Sequence, residues 1–380
     1  MRRTSGGTRG ELAITHELWY DKTTMPYSDY LLDLTYPQLQ TLLASWGEPA
    51  FRAEQVWDWV YKHLADDYEQ MHNLPKTLRQ RLADKLALHT LTPLNELVSA
   101  DRQTRKVLLR LHDGQTIEAV LMRYQRRHTV CISTQVGCPI RCSFCATGQS
   151  GFERDLTPGE IVEQVLYFAR QLQERGQHLT NVVLMGMGEP LLNYDATWQA
   201  IETLTDERGF NLGARRITLS TAGVVPGIER LSQEKLQVGL AISLHAPTDE
   251  LRNQLVPLNR RYPLGKLIPA CRAYVKATSR RVTFEYALIH EVNDWKAQAR
   301  QLATLLEGLL YHVNLIPLNP TAECGYKPSS PWRVRVFQEE LNRLRVPNTL
   351  RLGRGIDIQA GCGQLRRSGC QPGPLAGGKP

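Results

Sequence analysis

Hydrophobic and polar positions divide the chain into regions of different periodicity. Residues 30–90 carry apolar side chains at helical spacing, broken by the Gly-Glu-Pro sequence at 47–49, which predicts a small helical unit. Apolar and polar residues then alternate on both sides of Asp113 and Gly114, a dipeptide that favours tight hairpin turns. The pattern therefore predicts helices first and a β-hairpin after them.

Beyond the hairpin, short strand-like segments alternate with helical stretches. Strands that alternate with helices are typical of parallel βα units joined by right-handed crossovers. Six units are too few to close an eightfold barrel. We therefore expect the α/β fold class and a partial (βα)6 barrel, whose reactive loops follow the carboxyl ends of the strands. The six predicted strands are 130–134, 181–185, 216–220, 238–243, 281–288 and 312–317.

These regions suggest five parts of the chain. The first residues are basic and rich in small side chains, and no apolar segment follows them, so they resemble a disordered tail rather than a signal peptide. The expected parts are a disordered tail (1–25), a helical accessory domain (26–100), a β-hairpin extension (101–128), the partial barrel (129–347) and a C-terminal loop with a flexible tail (348–380).

Composition argues against a membrane protein and leaves the partner open. Hydrophobic residues make up 42% of the chain and charged residues 22%, and no run of about 18 apolar residues is present to span a bilayer. We expect a cytoplasmic protein. The net charge is +8, and residues 321–380 carry ten Lys or Arg against four Asp or Glu. This excess suits either a polyanionic partner or a solubilising surface.

Three of the eight cysteines, Cys138, Cys142 and Cys145, form a C-x3-C-x2-C cluster soon after the first predicted strand. Three thiolates can hold three corners of a [4Fe–4S] cluster and leave one iron without a protein ligand, open to a small molecule. A zinc site completed by a remote residue, or three unrelated thiols, would have the same spacing. In each case the cysteines occupy a loop at the reactive end of the barrel.

Six motifs that include these cysteines occur in one order along the chain. Together they resemble the radical S-adenosylmethionine (SAM) enzymes and, among them, the RlmN/Cfr family of RNA adenine methyltransferases. The similarity extends from about Leu31 to Arg366 and is greatest to the members that methylate carbon 2 of adenine. The motifs are CISTQVGCPIRCSFCATGQSGF, VLMGMGEPLLN, ITLSTAG, ISLHAPTDELR, IPLNP and AGCGQL.

The resemblance implies which residues hold two cofactors. Cys138, Cys142 and Cys145 would bind a [4Fe–4S] cluster, whose open iron would bind the amino and carboxyl groups of SAM. Seven residues at the ends of predicted strands would contact SAM. Each of them has an ordinary alternative on its own, such as a turn glycine, a helix cap or a core histidine. The seven are Gly188, Glu189, Ser220, Ser243, Leu244, His245 and Asn319.

The resemblance also implies three catalytic residues. Carbon 2 of adenine lies between two ring nitrogens and is not nucleophilic, so a radical route is required, and cofactors supply such chemistry. Cys362 would accept a methyl group from one SAM, and a second SAM would provide the 5′-deoxyadenosyl radical that activates this methyl group. Glu118 would accept the proton of carbon 2, and Cys131 would release the RNA by forming a disulfide with Cys362.

The partners implied by the resemblance are nucleic acids and an electron donor. The substrates would be adenines of 23S rRNA, in the peptidyl transferase centre, and of tRNA, on the 3′ side of the anticodon. Flavodoxin or ferredoxin would supply the electron, and we expect a monomer without a membrane partner. Methylation at carbon 8, as in Cfr, and a non-catalytic RNA-binding protein with an iron–sulfur cluster are the alternatives.

Overall fold

The computed structural model describes residues 29–321, 325–351 and 353–366. The expected tail (1–25) and the last part of the expected flexible end, from residue 367, lie outside the described residues. Within the described ranges, no helix is long and apolar enough to cross a membrane. The α-helices found there are α1 (Tyr36–Ser45), α2 (Phe51–Tyr61), α3 (Lys76–Lys85), α4 (Ala146–Gln149), α5 (Pro158–Gln173), α6 (Tyr194–Thr205), α7 (Val225–Leu231), α8 (Asp249–Leu255), α9 (Leu264–Thr278), α10 (Lys296–Leu305) and α11 (Pro331–Arg343).

The strands of the described residues form one large sheet and one small one. The large sheet has the strand order β1-β2-β3-β4-β7-β8-β9-β10-β11-β12, in the labels below, and β5 pairs with β6 in the small sheet. The strands are β1 (Leu91–Val98), β2 (Thr104–Leu111), β3 (Thr116–Tyr124), β4 (Arg127–Cys131), β5 (Gln135–Gly137), β6 (Phe152–Asp155), β7 (Asn181–Leu184), β8 (Ile217–Thr221), β9 (Gly239–Ser243), β10 (Val282–Leu288), β11 (Tyr311–Pro317) and β12 (Asn348–Leu350).

The partial barrel is confirmed. Strands β4 and β7 to β11 are neighbours in the sheet and all run parallel, and each corresponds to a strand predicted from the sequence. A seventh parallel strand, β12, pairs with β11. Because β12 has only three residues, it is too short to produce a periodic pattern in the sequence. The carboxyl ends of these strands meet at one edge, where the cysteine loop also lies.

The β-extension has three antiparallel strands rather than the two of a hairpin. Strands β2 and β3 flank the predicted turn at Asp113 and Gly114, and β1 pairs with β2 at the edge of the sheet. Residues 91–98 were expected within the helical segment, and that part of the expectation is wrong. The pattern is obscured because β1 is mostly exposed and contains Pro93, at a register shift, as edge strands tolerate.

The predicted helical unit forms, with its own N-terminal cap. Thr35 and Gln38 make a capping box at the start of α1, in which each side chain accepts a hydrogen bond from the backbone N–H of the other. The spacing of apolar residues places Leu39, Val56 and Trp57 in the core, where all three are buried. The helices α1 and α2 thus bury one face each, as the pattern predicts.

The helical unit is connected to the barrel through a buried carboxylate of α5. Glu163 accepts hydrogen bonds from the backbone N–H groups of Thr90 (2.5 Å) and Leu91 (3.0 Å) and from the Thr90 hydroxyl (2.6 Å). His89 Nδ1 lies 2.5 Å from the other carboxylate oxygen. The segment that links α3 to β1 is therefore fastened to the first long helix of the barrel.

Candidate active site

The cysteine loop follows β5 and is fixed by backbone hydrogen bonds to three other segments. Cys138 N–H donates to the carbonyl of Gly151 (2.8 Å), and Ser143 N–H donates to the carbonyl of Leu255 at the end of α8 (3.1 Å). Ala146 N–H donates to the carbonyl of Gly363 in the C-terminal loop (2.9 Å). The loop conformation is thus determined by β6, α8 and the C-terminal loop together.

The three thiols share an apolar environment. Cys138, Cys142 and Cys145 are half-buried and pack against a separate hydrophobic cluster that includes Ile140 and Phe144. Burial raises the pKa values of Cys138 and Cys142, and the neighbouring thiols raise them further. Ionisation of Cys138 and Cys142 is therefore opposed in the free protein, and bound cations would offset the charge of their thiolates.

The donor set fits an iron–sulfur cluster. Soft thiolate ligands select such clusters, and each cysteine of a [4Fe–4S] cube binds a different iron, so the sulfur atoms need not converge on one point. Among the residues that the structure describes, no group of three or more His, Cys, Asp or Glu side chains is arranged to hold a single metal ion. Cys138, Cys142 and Cys145 are the residues that would hold the cube.

The glycines after β7 allow the backbone to pass close to the loop that follows β4. Gly188 has a φ of +110°, and a Cβ there would lie 2.7 Å from Thr134 Oγ1 and 2.8 Å from Gln135 N. Only glycine suits both the torsion angle and the contact. Glu189 follows directly, and its backbone N–H donates to Gln135 Oε1 (2.8 Å). The turn therefore presents Glu189 at the end of β7.

The Glu189 carboxylate is buried and joins two strand ends. It accepts hydrogen bonds from the backbone N–H groups of Leu191 (3.1 Å) and Ala222 (2.6 Å), and from the side chain of Thr221. Burial raises the pKa of Glu189 to about 7, although these donors oppose the shift. The side chain thus ties the turn after β7 to the end of β8, and its backbone remains at the mouth of the barrel.

The next predicted SAM contacts lie on the adjacent strand ends. Ser220 of β8 and Ser243 of β9 have their hydroxyl oxygens 3.5 Å apart. Leu244 is buried, and its backbone N–H donates to the carbonyl of Glu285 in β10 (3.0 Å). His245 follows with a φ of +57°. The sequence Ser243–His245 therefore forms a tight turn that is hydrogen-bonded to β10.

His245 is a neutral, buried ring. Its Nδ1 accepts a hydrogen bond from the backbone N–H of Ala287 (3.0 Å), so the proton of the neutral ring lies on Nε2. Burial, together with the nearby charge of Arg252, lowers the pKa of His245 to about 3. The ring also packs edge-on against Phe144 of the cysteine loop, with ring centroids 4.7 Å apart. His245 therefore connects the turn after β9 to the cysteine loop.

The C-terminal loop brings Cys362 into the mouth of the barrel. Asn319 donates from Nδ2 to the carbonyl of Cys362 (3.1 Å), and Gln364 accepts from Gly361 N–H (3.0 Å). A Cβ on Gly361 would lie 2.6 Å from Asn319 Nδ2, so the backbone approaches as closely as glycine permits. Cys362 keeps solvent contact while surrounding protein raises its pKa to about 12. This combination is typical of a side chain within an open cavity.

Glu118 lies beside the same loop. Its carboxylate is paired with Lys106 Nζ (2.8 Å) and accepts a hydrogen bond from the backbone N–H of Arg366 (3.0 Å). The backbone carbonyl of Glu118 also accepts a hydrogen bond from the Ser133 hydroxyl (2.7 Å). Glu118 is buried in β3, which pairs with β4. The carboxylate therefore connects the β-extension to the C-terminal loop.

Cys131 ends β4 and lies near Cys362. Its thiol is buried, and burial raises its pKa to about 12, with a further contribution from the Cys362 thiol. Both cysteines are free thiols in this structure. The structure therefore brings together the two thiols, Glu118, the cysteine loop and the strand ends named from the sequence.

Two buried charged residues at this site are not found by sequence reasoning. Arg252 of α8 lies in the quoted segment ISLHAPTDELR, where a charged residue in a short helix gives no sign of burial. Glu285 of β10 accepts from Asn314 Nδ2 (2.8 Å), while its Oε2 has no hydrogen-bond partner in the described part of the chain. Burial raises the pKa of Glu285, and the charge of Glu285 in turn raises the pKa of Cys362. The only signal for Glu285 is a charged residue in an otherwise apolar strand.

Known proteins are similar over most of the chain. The chain is 50% identical over 336 residues to dual-specificity RNA methyltransferase RlmN 1 of Myxococcus xanthus (strain DK1622), covering 88% of this chain and 94% of that protein. It is 50% identical over 334 residues to probable dual-specificity RNA methyltransferase RlmN of Moorella thermoacetica, covering 87% and 94%. A crystal structure of a radical SAM methyltransferase from Sphaerobacter thermophilus has a TM-score of 0.87 at 55% identity, covering 89% and 99%.

The partial parallel barrel and the three-cysteine loop at its carboxyl edge define a radical SAM enzyme, and residues 132–303 match the radical SAM superfamily. Residues 30–88, which form the helical unit, match the family described as ribosomal RNA large subunit methyltransferase N-terminal domain. With relatives of this similarity over nearly the whole length, the chain belongs to the RlmN family of radical SAM RNA methyltransferases.

Proposed function

We propose that this enzyme methylates carbon 2 of adenine in 23S rRNA and in tRNA, with two SAM molecules per methyl group and Cys362 as the methyl carrier. The observation that carries the proposal is the position of the Cys362 loop. Its backbone is bonded on one side to the cysteine loop, through Ala146 N–H and the Gly363 carbonyl, and on the other to Glu118, through Arg366 N–H. The carrier, the cofactor loop and the proton acceptor thus meet in one place.

The first half of the reaction needs an accessible thiol next to bound SAM. Cys362 retains solvent contact within the cavity, and the flanking glycines let its backbone approach Asn319. As a thiolate, its sulfur attacks the sulfonium methyl group of SAM, and the sulfur–carbon bond of SAM breaks as the thioether forms. The products are S-methylcysteine and S-adenosylhomocysteine.

In this proposal, residues at the strand ends around that thiol bind SAM. Four groups line the mouth of the barrel: the backbone at Gly188 and Glu189, the hydroxyls of Ser220 and Ser243, the turn at Leu244 and His245, and the side chain of Asn319. A bound [4Fe–4S] cluster supplies the electron that cleaves the second SAM.

Release of the methylated RNA needs a base and a second thiol. Glu118 is a buried carboxylate that contacts the carrier loop, and we propose that it takes the proton from carbon 2 of the tethered adenine. The Cys362 thiol lies close enough to the buried Cys131 thiol to raise the pKa of Cys131. Attack of the Cys131 thiolate on the Cys362 sulfur would form a disulfide and break the sulfur–carbon bond to the adenine. The released carbon would take up a proton to become the methyl group, which balances the proton that the Cys131 thiol gave up, as the family resemblance implies.

The partners follow from the same proposal. The substrate adenines would be those of the peptidyl transferase centre of 23S rRNA and of tRNA on the 3′ side of the anticodon, each exposed from its stack. The helical unit would grip the RNA, and flavodoxin or ferredoxin would supply electrons. We further propose a monomeric enzyme located in the cytoplasm.

Analysis of the nucleosides in treated RNA tests the proposal. The full-length enzyme, reconstituted with iron and sulfide without oxygen, is incubated with SAM, a reductant and unmodified 23S rRNA. We expect 2-methyladenosine, its loss in Cys362→Ala, and its retention in Cys271→Ala, a matched control because Cys271 lies buried in α9. Formation of 8-methyladenosine instead, or RNA that is bound but unmodified by a cluster-loaded enzyme, would overturn it.

A further inference from the structure

The guanidinium of Arg252 is fully buried and spans the ends of two neighbouring barrel strands. Nη2 donates to the carbonyl oxygens of Ala222, just after β8, and of Ser243, the last residue of β9 (3.2 Å). Nε donates to the carbonyl of Leu244 (3.1 Å). The planar fork of donors thus fixes three backbone carbonyls next to the predicted SAM contacts, and a single flexible ammonium could not reproduce that geometry.

This buried cation has no carboxylate at salt-bridge distance among the described residues. Its remaining partner is the side-chain oxygen Oδ1 of Asn259 (2.8 Å), and Asn259 in turn donates from Nδ2 to Asp249 Oδ1 (2.8 Å). Burial lowers the pKa of Arg252 only to about 10, so the side chain stays charged at neutral pH. Because an isolated buried charge is costly, a nearby anion is expected to offset it when the site is loaded.

The cysteine loop is the structure next to this charge. The carbonyl of Leu255, at the end of the helix that carries Arg252, accepts the backbone N–H of Ser143 (3.1 Å). The turn that Arg252 binds also contacts this loop, because His245, next to Leu244, packs edge-on against Phe144 with ring centroids 4.7 Å apart. Apolar side chains such as Leu255 and Phe144 surround the three cysteines, so the charge of Arg252 is screened less here than it would be at the surface.

We propose that Arg252 is a positioning residue with two effects: it holds the turn at Ser243 and Leu244 in the conformation that binds SAM, and its charge raises the reduction potential of the cluster. The inference rests on the proposed function, since it assigns Cys142 to that cluster. One-electron reduction adds negative charge to the cluster, and a buried cation stabilises the reduced form more than the oxidised form.

Two substitutions separate these effects. Arg252→Lys keeps the charge but loses the fork, whereas Arg252→Gln loses both. We expect Arg252→Gln to have a more negative midpoint potential than the wild type and Arg252→Lys to stay close to the wild type. Both variants should bind SAM about tenfold more weakly, equivalent to roughly 1.4 kcal/mol. Arg260→Gln is the control, because Arg260 is exposed near the same helix and its charge is screened.

The measurements are made on full-length, anaerobically reconstituted protein with verified iron content. Redox titration followed by electron paramagnetic resonance gives the midpoint potential, and calorimetry gives the affinity for SAM. An unchanged potential in cluster-loaded Arg252→Gln, or an equally negative one in Arg252→Lys, would overturn the effect of charge. Wild-type affinity for SAM in Arg252→Lys would overturn the positioning role. This test does not depend on whether Arg252→Gln folds. A wild type that takes up no cluster would instead contradict the proposed function.

Discussion

At the scale of single residues, the site holds two buried titratable groups whose pKa values are shifted in opposite ways to keep each neutral. Burial raises the pKa of Glu189 to about 7 and lowers that of His245 to about 3. Glu189 therefore holds a proton in the folded state over a pH range in which the unfolded chain has lost it. His245 stays unprotonated in the folded state where the unfolded chain would be protonated.

Glu189→Gln should change how stability depends on pH. In the wild type, Glu189 contributes stability that is present below its unfolded pKa of about 4.5 and is lost as the pH rises through about 7. Between pH 4.5 and 7.5, the free energy of unfolding of the variant should therefore rise by about 3 kcal/mol relative to that of the wild type. Urea unfolding across this range measures it.

The contribution of His245 to stability has the opposite pH dependence. Because the pKa of His245 is lowered, its contribution to stability is present above pH 6.5 and is lost as the pH falls, which is the opposite sign. Parallel pH profiles for Glu189→Gln and the wild type would show that the Glu189 carboxyl is not shifted as described.

At the scale of elements, the β-extension serves as the platform for the loop that carries Cys362. Asp357 Oδ2 accepts the backbone N–H of Ala100 (2.8 Å), and Lys106 Nζ donates to the Gln359 carbonyl (3.2 Å). Arg354 lies over the ring of Tyr124, with its guanidinium carbon 4.4 Å from the ring centroid. Strands that are remote in sequence thus hold residues 353–366 against the barrel.

Removal of one of these contacts should loosen the loop. In Asp357→Ala, Ala100 N–H loses a charged acceptor that contributes about 1–2 kcal/mol. We expect hydrogen exchange in residues 353–366 to become about tenfold faster, with little change in the barrel strands. Asp84→Ala, a change at an exposed position in α3, is the control. Exchange in the loop as slow as in the wild type would show that the platform does not hold it.

At the scale of the whole molecule, the helical unit depends on Glu163 for its attachment. This buried carboxylate of α5 accepts hydrogen bonds from two backbone N–H groups and one hydroxyl, and it also pairs with the His89 ring. The hydrogen bond to Glu163 raises the pKa of His89. The unit that matches the family's N-terminal domain is thus fixed relative to the barrel.

Glu163→Gln should weaken this attachment. The glutamine oxygen can still accept from the Thr90 and Leu91 N–H groups, but a neutral acceptor replaces a charged one, and the amide nitrogen replaces the oxygen that pairs with His89. We expect this loss to cost about 2–3 kcal/mol. We expect a lower Tm and earlier proteolysis within residues 30–90. Glu174→Gln, at the exposed end of the same helix, is the matched control. A Tm equal to that of the control would mean that the attachment does not depend on the carboxylate.

Sequence pattern predicts what is periodic or local, and fails where contacts join distant segments. The six parallel strands and the hairpin turn at Asp113 and Gly114 follow from spacing and residue type. The edge strand β1 and the three-residue β12 lack periodicity, and so they are found only in the structure. The burial of Arg252 and Glu285 depends on segments that meet only after folding. The ion pair of Glu118 with Lys106 lies within the paired strands β2 and β3 and depends on their register.

The central claim is that Cys362 carries the methyl group to RNA and that Cys131 frees the product. The most direct measurement uses Cys131→Ala, reconstituted without oxygen and incubated with SAM, a reductant and 23S rRNA. We expect a covalent protein–RNA adduct on denaturing gels, which peptide mass spectrometry maps to Cys362 joined to adenine through one carbon. A cluster-loaded Cys131→Ala enzyme that methylates RNA at the wild-type rate and accumulates no adduct would contradict the account.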